Sequence, residues 1–341
     1  MTAPVGVALI GYGYAGRTFH APLIGAEPAL ALRVVASRDA ARVHADLPGM
    51  DVAADPAEAI GRADVNLVVI ATPNASHAPL ARMAIAAGKH VVIEKPMAPT
   101  LAEASELSAL ATAAGVGLRV FHNRRWDSDF LTVRAAIEQG LLGTVSHFES
   151  HFDRFRPTVR DRWRENAGPG SGVWFDLGPH LVDQALLLFG MPSRVIASMA
   201  QQRPGAQATD WAHVILEYPA LRVILHAGML VAGGSHRFVI HGDRASLTKQ
   251  KLDPQEAQLV AGMRPGAPGW GHDPDPAVLH DAGGSRILAA TAGDQRGFYR
   301  ELARALPGGA SDSVDIAQSI AVMTVVQAAQ DSALSNSCVE L

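Results

Sequence analysis

Apolar positions fall into short blocks along the first third of the chain, separated by stretches with helical character. Val5 to Ile10 is a continuous apolar run, followed at once by Gly11-Tyr12-Gly13-Tyr14-Ala15-Gly16 and a helix-compatible stretch from Arg17 to Ile24. Leu30 to Ala36 reads as the second strand, and Val65 to Ala71 is unbroken apolar sequence, as expected for a strand buried on both faces of a parallel sheet. His90 to Ile93 and Gly117 to Phe121 continue the series, the latter closing the sheet. Helix starts lie between them: Asp55-Pro56-Ala57-Glu58 places an acceptor, a proline and an acid in the order an N-terminus favours, and Thr100 to Glu103 is a capping-box pattern before a helix to about Ala114. Strand alternating with helix predicts an α/β fold, with a doubly wound parallel sheet over residues 1–121.

The period changes after His122. A helix from Ser128 to Gln139 leads into Thr144 to Phe155, where polar and apolar residues alternate as in a half-buried strand. After a long helix come strand-like runs at Arg194–Gln201, Ala212–Tyr218, Leu221–Leu230 and His236–Gly242. Their short connections predict an α+β domain over 122–341, with a large, mostly antiparallel open sheet covered by helices on one face. Gly, Pro and Asp dominate 262–284, which reads as an ordered loop or flap, and helices are expected at Phe298–Leu306 and Asp315–Ser332.

Composition narrows the function classes. Of 341 residues, 48% are hydrophobic and 18% charged, which describes a globular protein long enough for two cores. A net charge of −4 argues against nucleic-acid binding. No run of about 18 apolar residues suggests a membrane span, and the first strand begins by residue 5, so a cytoplasmic protein is expected. Cys338 is the single cysteine, in no setting that would activate it. Only four of the 29 basic residues are lysines: Lys89, Lys95, Lys249 and Lys251. An ammonium can be tuned by burial where a guanidinium cannot, so each retained lysine is a candidate for chemistry.

The glycine turn is the first such site. At G-x-G-x-x-G spacing, Gly11 suits the tight turn, Gly13 the approach of a pyrophosphate, and Gly16 close packing of helix on strand. The helix N-terminus then faces the phosphates. The second strand ends in Ser37-Arg38-Asp39 without the usual acid at its tip, and Ser37 with Arg38 suits a ribose 2′-phosphate, which favours NADP over NAD. Asp39 is the objection, since turned inward it would hold a 2′-hydroxyl. Thr72-Pro73-Asn74 follows a central strand at the end where such sheets bind ligands, and His77 opens the next helix as a polar first-turn residue.

Three groups compete for the chemistry. Lys95, in Glu94-Lys95-Pro96, joins Asp176 and His180, whose i, i+4 spacing puts a carboxylate and an imidazole on one helix face near Asp183. Pro179 implies that this helix is kinked or begins near it. The plain alternative is a capping Asp and a core His. His147, Glu149 and His151 share one strand face as a polar row or subunit contact, and no metal is expected. Arg154, Arg156, Arg160, Arg162 and Arg164, with Trp163 among them, suggest a polar substrate lid, in which the indole covers a sugar-like ring.

Taken together, GYGYAG, ATPN at 71–74, EKP at 94–96 and DLGPH at 176–180 resemble the glucose–fructose oxidoreductase/inositol dehydrogenase (Gfo/Idh/MocA) family, over nearly the whole chain. FHNRRWDSDF and the RDRW-to-DLGPH segment look most like its NADP-dependent scyllo-inositol dehydrogenase-like branch. The resemblance implies that Lys95 stabilises a developing alkoxide, that His180 exchanges the hydroxyl proton and that Asp176 orients the pair or binds a neighbouring hydroxyl. It implies that Arg125 reaches a substrate hydroxyl and Trp163 lines the pocket. Thr72, Pro73, Asn74 and His77 would contact the nicotinamide half, and Glu94 the nearby ribose. A homodimer or homotetramer through the C-terminal sheet and a small polyol or sugar substrate follow from the same likeness. Other substrates on the same fold, such as a keto-sugar, a trans-dihydrodiol or an imine, and a dinucleotide-sensing regulator stand as alternatives.

Overall fold

The computed structural model describes residues 3–162, 164–168, 170–306 and 316–341. These form two compact units. The first comprises residues 1–123, 255–270 and 294–320, the second 124–254, 271–293 and 321–341.

In the first unit, β1 (Val5–Ile10), β2 (Leu30–Ala36), β3 (Asp51–Ala53), β4 (Leu67–Ile70), β5 (His90–Ile93) and β6 (Leu118–Val120) build a six-stranded parallel sheet in the order 3-2-1-4-5-6. The central strands are wholly buried, with Val7 to Leu9 and Leu67 to Ile70 at 0% exposure, because helices cover both faces. Strand order reverses between β1 and β4, so their carboxyl ends open a crevice there. The connecting helices are α1 (Ala21–Gly25), α2 (Ala40–Asp46), α3 (Pro56–Ile60), α4 (His77–Ala86) and α5 (Leu101–Ala114). Asp55 caps α3 by accepting from the Ala57 N–H, with Pro56 as the first helical residue, and Thr100 caps α5 by accepting from the Glu103 N–H.

The second unit holds α6 (Ser128–Glu138), β7 (Val145–His151), α7 (Gly172–Phe189), β8 (Arg194–Ala200), β9 (Trp211–Glu217), β10 (Arg222–Gly228), β11 (Phe238–Gly242) and β12 (Ser246–Lys249). After α8 (Gln255–Val260), which belongs to the first unit, come β13 (Ala277–Asp281) and β14 (Gly284–Leu288). The chain closes with α9 (Arg296–Ala305), α10 (Ile316–Ser335) and β15 (Val339–Glu340), and Asp315, the expected start of the last helix, lies outside the described residues. Nine strands form one sheet in the order 14-13-12-11-7-10-9-8-15, with β7 and β10 parallel and the other pairs antiparallel. One face packs Phe148, Val214, Leu225, Phe238 and Leu247 against Phe130, Trp174, Leu181 and Val325 from the helices. The other carries the half-buried residues His147, Glu149, His151, His213 and His226.

Two expectations are corrected. Residues 262–284 are not wholly loop, since β13 lies inside them and pairs with β12 through Ser246–His280 and Lys249–Ala277. Nor does the helix carrying Asp176 and His180 begin near Pro179. It runs from Gly172 through the proline. Pro179 donates no N–H to the Phe175 carbonyl, and packing holds the turn instead. The Trp174 indole lies over Gly178, where an added Cβ would stand 2.7 Å from the ring, and its Nε1–H donates to the Val326 carbonyl at 3.1 Å.

Candidate active site

The carboxyl ends of β1, β2, β4 and β5 carry the candidate coenzyme residues. Gly11 has φ +99°, a conformation that a side chain resists, and an added Cβ would approach the Ala71 carbonyl to 2.6 Å. At Gly16 a Cβ would strike the Gly11 carbonyl at 2.1 Å, so the helical segment sits directly against the turn. Around Gly13 the space is open to 4 Å. Two positions demand glycine for the backbone's own sake and one leaves a bare approach, which is the cradle a pyrophosphate requires. The segment entering α1 differs from a plain helix: Gly16–His20 forms a wide turn in which Ala21 N–H donates to the Gly16 carbonyl, five residues back.

At the tip of β2, Asp39 is committed to its own helix. Its Oδ1 accepts from Arg42 N–H at 3.0 Å and its Oδ2 pairs with the Arg42 guanidinium at 3.0 Å. Ser37 Oγ accepts from the Asp39 N–H at 3.1 Å, and Arg38 is exposed. The carboxylate that stood against a 2′-phosphate is therefore the N-cap of α2.

The loops after β4 and β5 are joined by His77. This residue is fully buried rather than a solvated first-turn group, with Nδ1 2.9 Å from the Pro96 carbonyl and Nε2 2.9 Å from the Thr72 carbonyl. Ser76 Oγ donates within the first loop, 2.7 Å from both Thr72 Oγ1 and the Pro73 carbonyl. Lys95 stands half-buried at the end of β5, before a cis Lys95–Pro96 bond. Glu94 beside it accepts from the Lys95 N–H at 3.0 Å and faces His20 Nε2 at 3.1 Å. Burial pushes its carboxyl up, but the His20 hydrogen bond and the charges of His20, Lys95 and His77 outweigh it, and Glu94 lies below the usual carboxylate range.

In the second unit, α7 presents a polar edge. Asp176 and His180 lie one turn apart, with His180 at 5% exposure. Asp176 is held from two sides, by Arg154 at 3.4 Å and Arg164 at 3.3 Å. Asp183 takes Arg125 in a buried fork, at 2.9 Å from Nε and 2.6 Å from Nη2. Gln184 continues the edge, donating to the Arg124 carbonyl and accepting from Arg237, which also pairs with Asp129 at 2.8 Å. Arg154 and Arg164 are thus drawn from the arginine run to Asp176, and Arg125 is bound by the helix that carries the acid. Trp163 lies outside the described residues.

On the open sheet face, Glu149 bridges His147 at 2.8 Å and His151 at 2.9 Å. Asp153 extends the row to His226, and His226 Nδ1 meets His213 Nδ1 at 3.3 Å. The hydrophobic pattern identifies the row of three but not Asp153, His213 and His226, which come from register across β7, β10 and β9. Among the described residues no group of three or more His, Cys, Asp or Glu is arranged to hold a metal ion.

A 3-2-1-4-5-6 sheet with a glycine cradle at its switch point and a lysine at the end of β5 defines a dinucleotide-binding oxidoreductase. The chain belongs to the Gfo/Idh/MocA family: residues 5–122 match "Oxidoreductase family, NAD-binding Rossmann fold" and 134–341 match "Oxidoreductase family, C-terminal alpha/beta domain". It is 49% identical over 337 residues to the uncharacterized oxidoreductase YdgJ of Escherichia coli, covering 98% of this chain and 97% of that one. Identity to the scyllo-inositol 2-dehydrogenase (NADP(+)) IolW of Bacillus subtilis is 36%, over 96% and 93% of the two chains. A crystal structure of a protein assigned as an oxidoreductase from Klebsiella pneumoniae superposes with a TM-score of 0.94 at 53% identity, covering all of this chain and 96% of that one. The coenzyme is a nicotinamide dinucleotide. No helix among the described residues is long and apolar enough to cross a membrane.

Proposed function

We propose that the protein is an NADP-dependent oxidoreductase that interconverts a secondary alcohol and a ketone on a cyclic polyol or sugar, inositol-like in shape. The observation that carries this reading is a half-buried Lys95 at the carboxyl end of a Rossmann strand in a chain that also stacks Asp176 and His180 on one helix edge. Residues 1–121 hold the coenzyme through Gly11 to Gly16, Ser37, Arg38, Thr72 to Asn74 and Glu94. Residues 122–341 hold the substrate and, through the open sheet face, a second copy of the chain. Asp39's engagement as a cap supports NADP, because it leaves Ser37 and Arg38 to meet a 2′-phosphate.

The bound coenzyme supplies the hydride acceptor. His180 takes the hydroxyl proton as the alcohol is oxidised and returns it in reduction. Lys95 stabilises the negative charge that develops on that oxygen. Asp176, held by Arg154 and Arg164, orients the proton-transfer edge or accepts from a neighbouring hydroxyl. Arg125 contributes through the Asp183 fork, which sets the helix edge from below. The test is steady-state coenzyme reduction with a panel of polyols and aldoses, comparing NADP⁺ with NAD⁺. Turnover of at least one cyclic polyol or aldose with preference for NADP⁺ is expected. Equal efficiency with NAD⁺ would defeat the Ser37/Arg38 assignment, and no turnover of any polyol or aldose would defeat the substrate class.

A further inference from the structure

Buried behind Glu94 is a chain of groups for which neither the glycine motif nor the Lys95 chemistry accounts. His20, at the end of the wide turn, is at 0% exposure. Its Nε2 faces Glu94 Oε1 at 3.1 Å and its Nδ1 lies 2.5 Å from the Tyr299 hydroxyl. Tyr299 sits on α9, some 200 residues beyond Glu94 in sequence, and is also at 0% exposure. Phe121 packs on the imidazole with ring centres 4.3 Å apart, and Phe298 closes on Phe121 edge-to-face at 4.8 Å. An aromatic box therefore surrounds a histidine that touches one carboxylate and one phenol.

The hydrogen-bond directions follow from the partners. An ionised Glu94 only accepts, so His20 Nε2 carries a hydrogen toward it. His20 Nδ1 shares a hydrogen bond with the Tyr299 hydroxyl. Burial and the Glu94 charge hold the Tyr299 phenol well above its ordinary range, so it keeps its proton. Tyr299 thus stays a neutral hydroxyl bonded to His20 Nδ1, and His20 donates to Glu94 Oε1. Glu94 Oε2 is held by the Lys95 N–H at 3.0 Å. Both carboxylate oxygens are located, and so is the backbone of the lysine that follows. With His20 and Tyr299 both at 0% exposure, the chain ends in the core behind Glu94. What it can do is aim.

Resting on the coenzyme reading above, we propose that His20 and Tyr299 are positioning residues that lock Glu94 and Lys95 toward the nicotinamide half of the dinucleotide. The prediction is local. Tyr299→Phe removes a single oxygen from a buried ring, and His20→Leu removes both hydrogen-bonding nitrogens, whereas His20→Gln retains an N–H for Glu94. Affinities for NADP⁺ and for adenosine 2′,5′-bisphosphate, which lacks the nicotinamide half, are measured by titration calorimetry on each full-length variant.

We expect Tyr299→Phe and His20→Leu to weaken NADP⁺ binding about tenfold, as loss of a charge-assisted contact does. Adenosine 2′,5′-bisphosphate should bind as in the wild type, and His20→Gln should recover most of the loss. Unchanged NADP⁺ affinity in both Tyr299→Phe and His20→Leu would overturn the assignment. So would parallel weakening of both ligands, which would mark a general structural role. If the unaltered protein binds neither NADP⁺ nor NAD⁺, it is the coenzyme reading itself that falls.

Discussion

At the scale of single residues, chemistry and geometry divide cleanly. Replacing Lys95 with Met keeps the stem and removes the charge, so turnover should fall by about three orders of magnitude, the scale of losing an oxyanion-stabilising donor. NADP⁺ binding, followed by fluorescence titration, should remain largely intact, and surviving turnover would remove the lysine from its alkoxide role. His180→Ala should lower kcat by about two to four orders of magnitude, in line with loss of a general base, and undiminished kcat would exclude it. At the tip of β2, Arg38→Ala should raise KM for NADP⁺ about tenfold while leaving KM for NAD⁺ unchanged, since the proposed role of the guanidinium is to meet the 2′-phosphate alone. Gly11, Lys95, Asp176 and His180 were legible as candidates in the sequence, each lying in a short local motif. His77 was legible as a polar helix-start residue and, through the family resemblance, as a contact to the nicotinamide half. Its burial between the Thr72 and Pro96 carbonyls depends on two loops that meet only when β4 and β5 pair.

At the scale of elements, the hydrophobic period predicted most of the strands and helices near their observed bounds. It failed where the period was absent. β14 is an edge strand, exposed through Arg286 and Ile287, so no alternation marks it. β13 follows a Gly-, Pro- and Asp-rich approach that reads as loop, and β15 has two residues. Pro179 left two readings open, a kinked helix or one beginning there, and the helix runs through it because tertiary packing carries a proline that would disrupt an isolated helix. The Trp174–Gly178 contact shows how tight that packing is. A Gly178→Ala substitution should overpack the ring and cost about 1–3 kcal/mol, read as a lowered midpoint of thermal unfolding, although alanine is the better helix former.

For the whole molecule, the open sheet face is the feature with consequences beyond one site. Its histidines make the folded chain sensitive to acid. Burial, with the charge of His151, holds His213 and His226 below the ordinary histidine value of 6.5, so the folded face favours their neutral forms. His151 is shifted the other way, since Asp153 and Glu149 outweigh its burial. Groups with lowered histidine values contribute stability above the unperturbed value, and that contribution is lost as pH falls below it and through the lowered one. Two such groups oppose one raised neighbour. The midpoint of thermal unfolding should therefore fall as pH drops from about 6.5 toward 5. A midpoint constant over that range would remove the histidine row from the stability of the sheet.

The sequence by itself determined the succession of strands and helices, the glycine cradle, the caps, and the residue types able to bind a dinucleotide and move a proton. All are encoded within a turn or two of chain, where period, capping and glycine geometry act directly. Tertiary structure alone decided that residues 255–270 and 294–320 join the first unit and that Tyr299 reaches His20 behind Glu94. It also committed Asp39 to a cap and Asp183 to Arg125. Those choices depend on which distant groups share a buried space. There an unmet hydrogen bond is costly, and only the closed chain determines which partner is near enough to meet it.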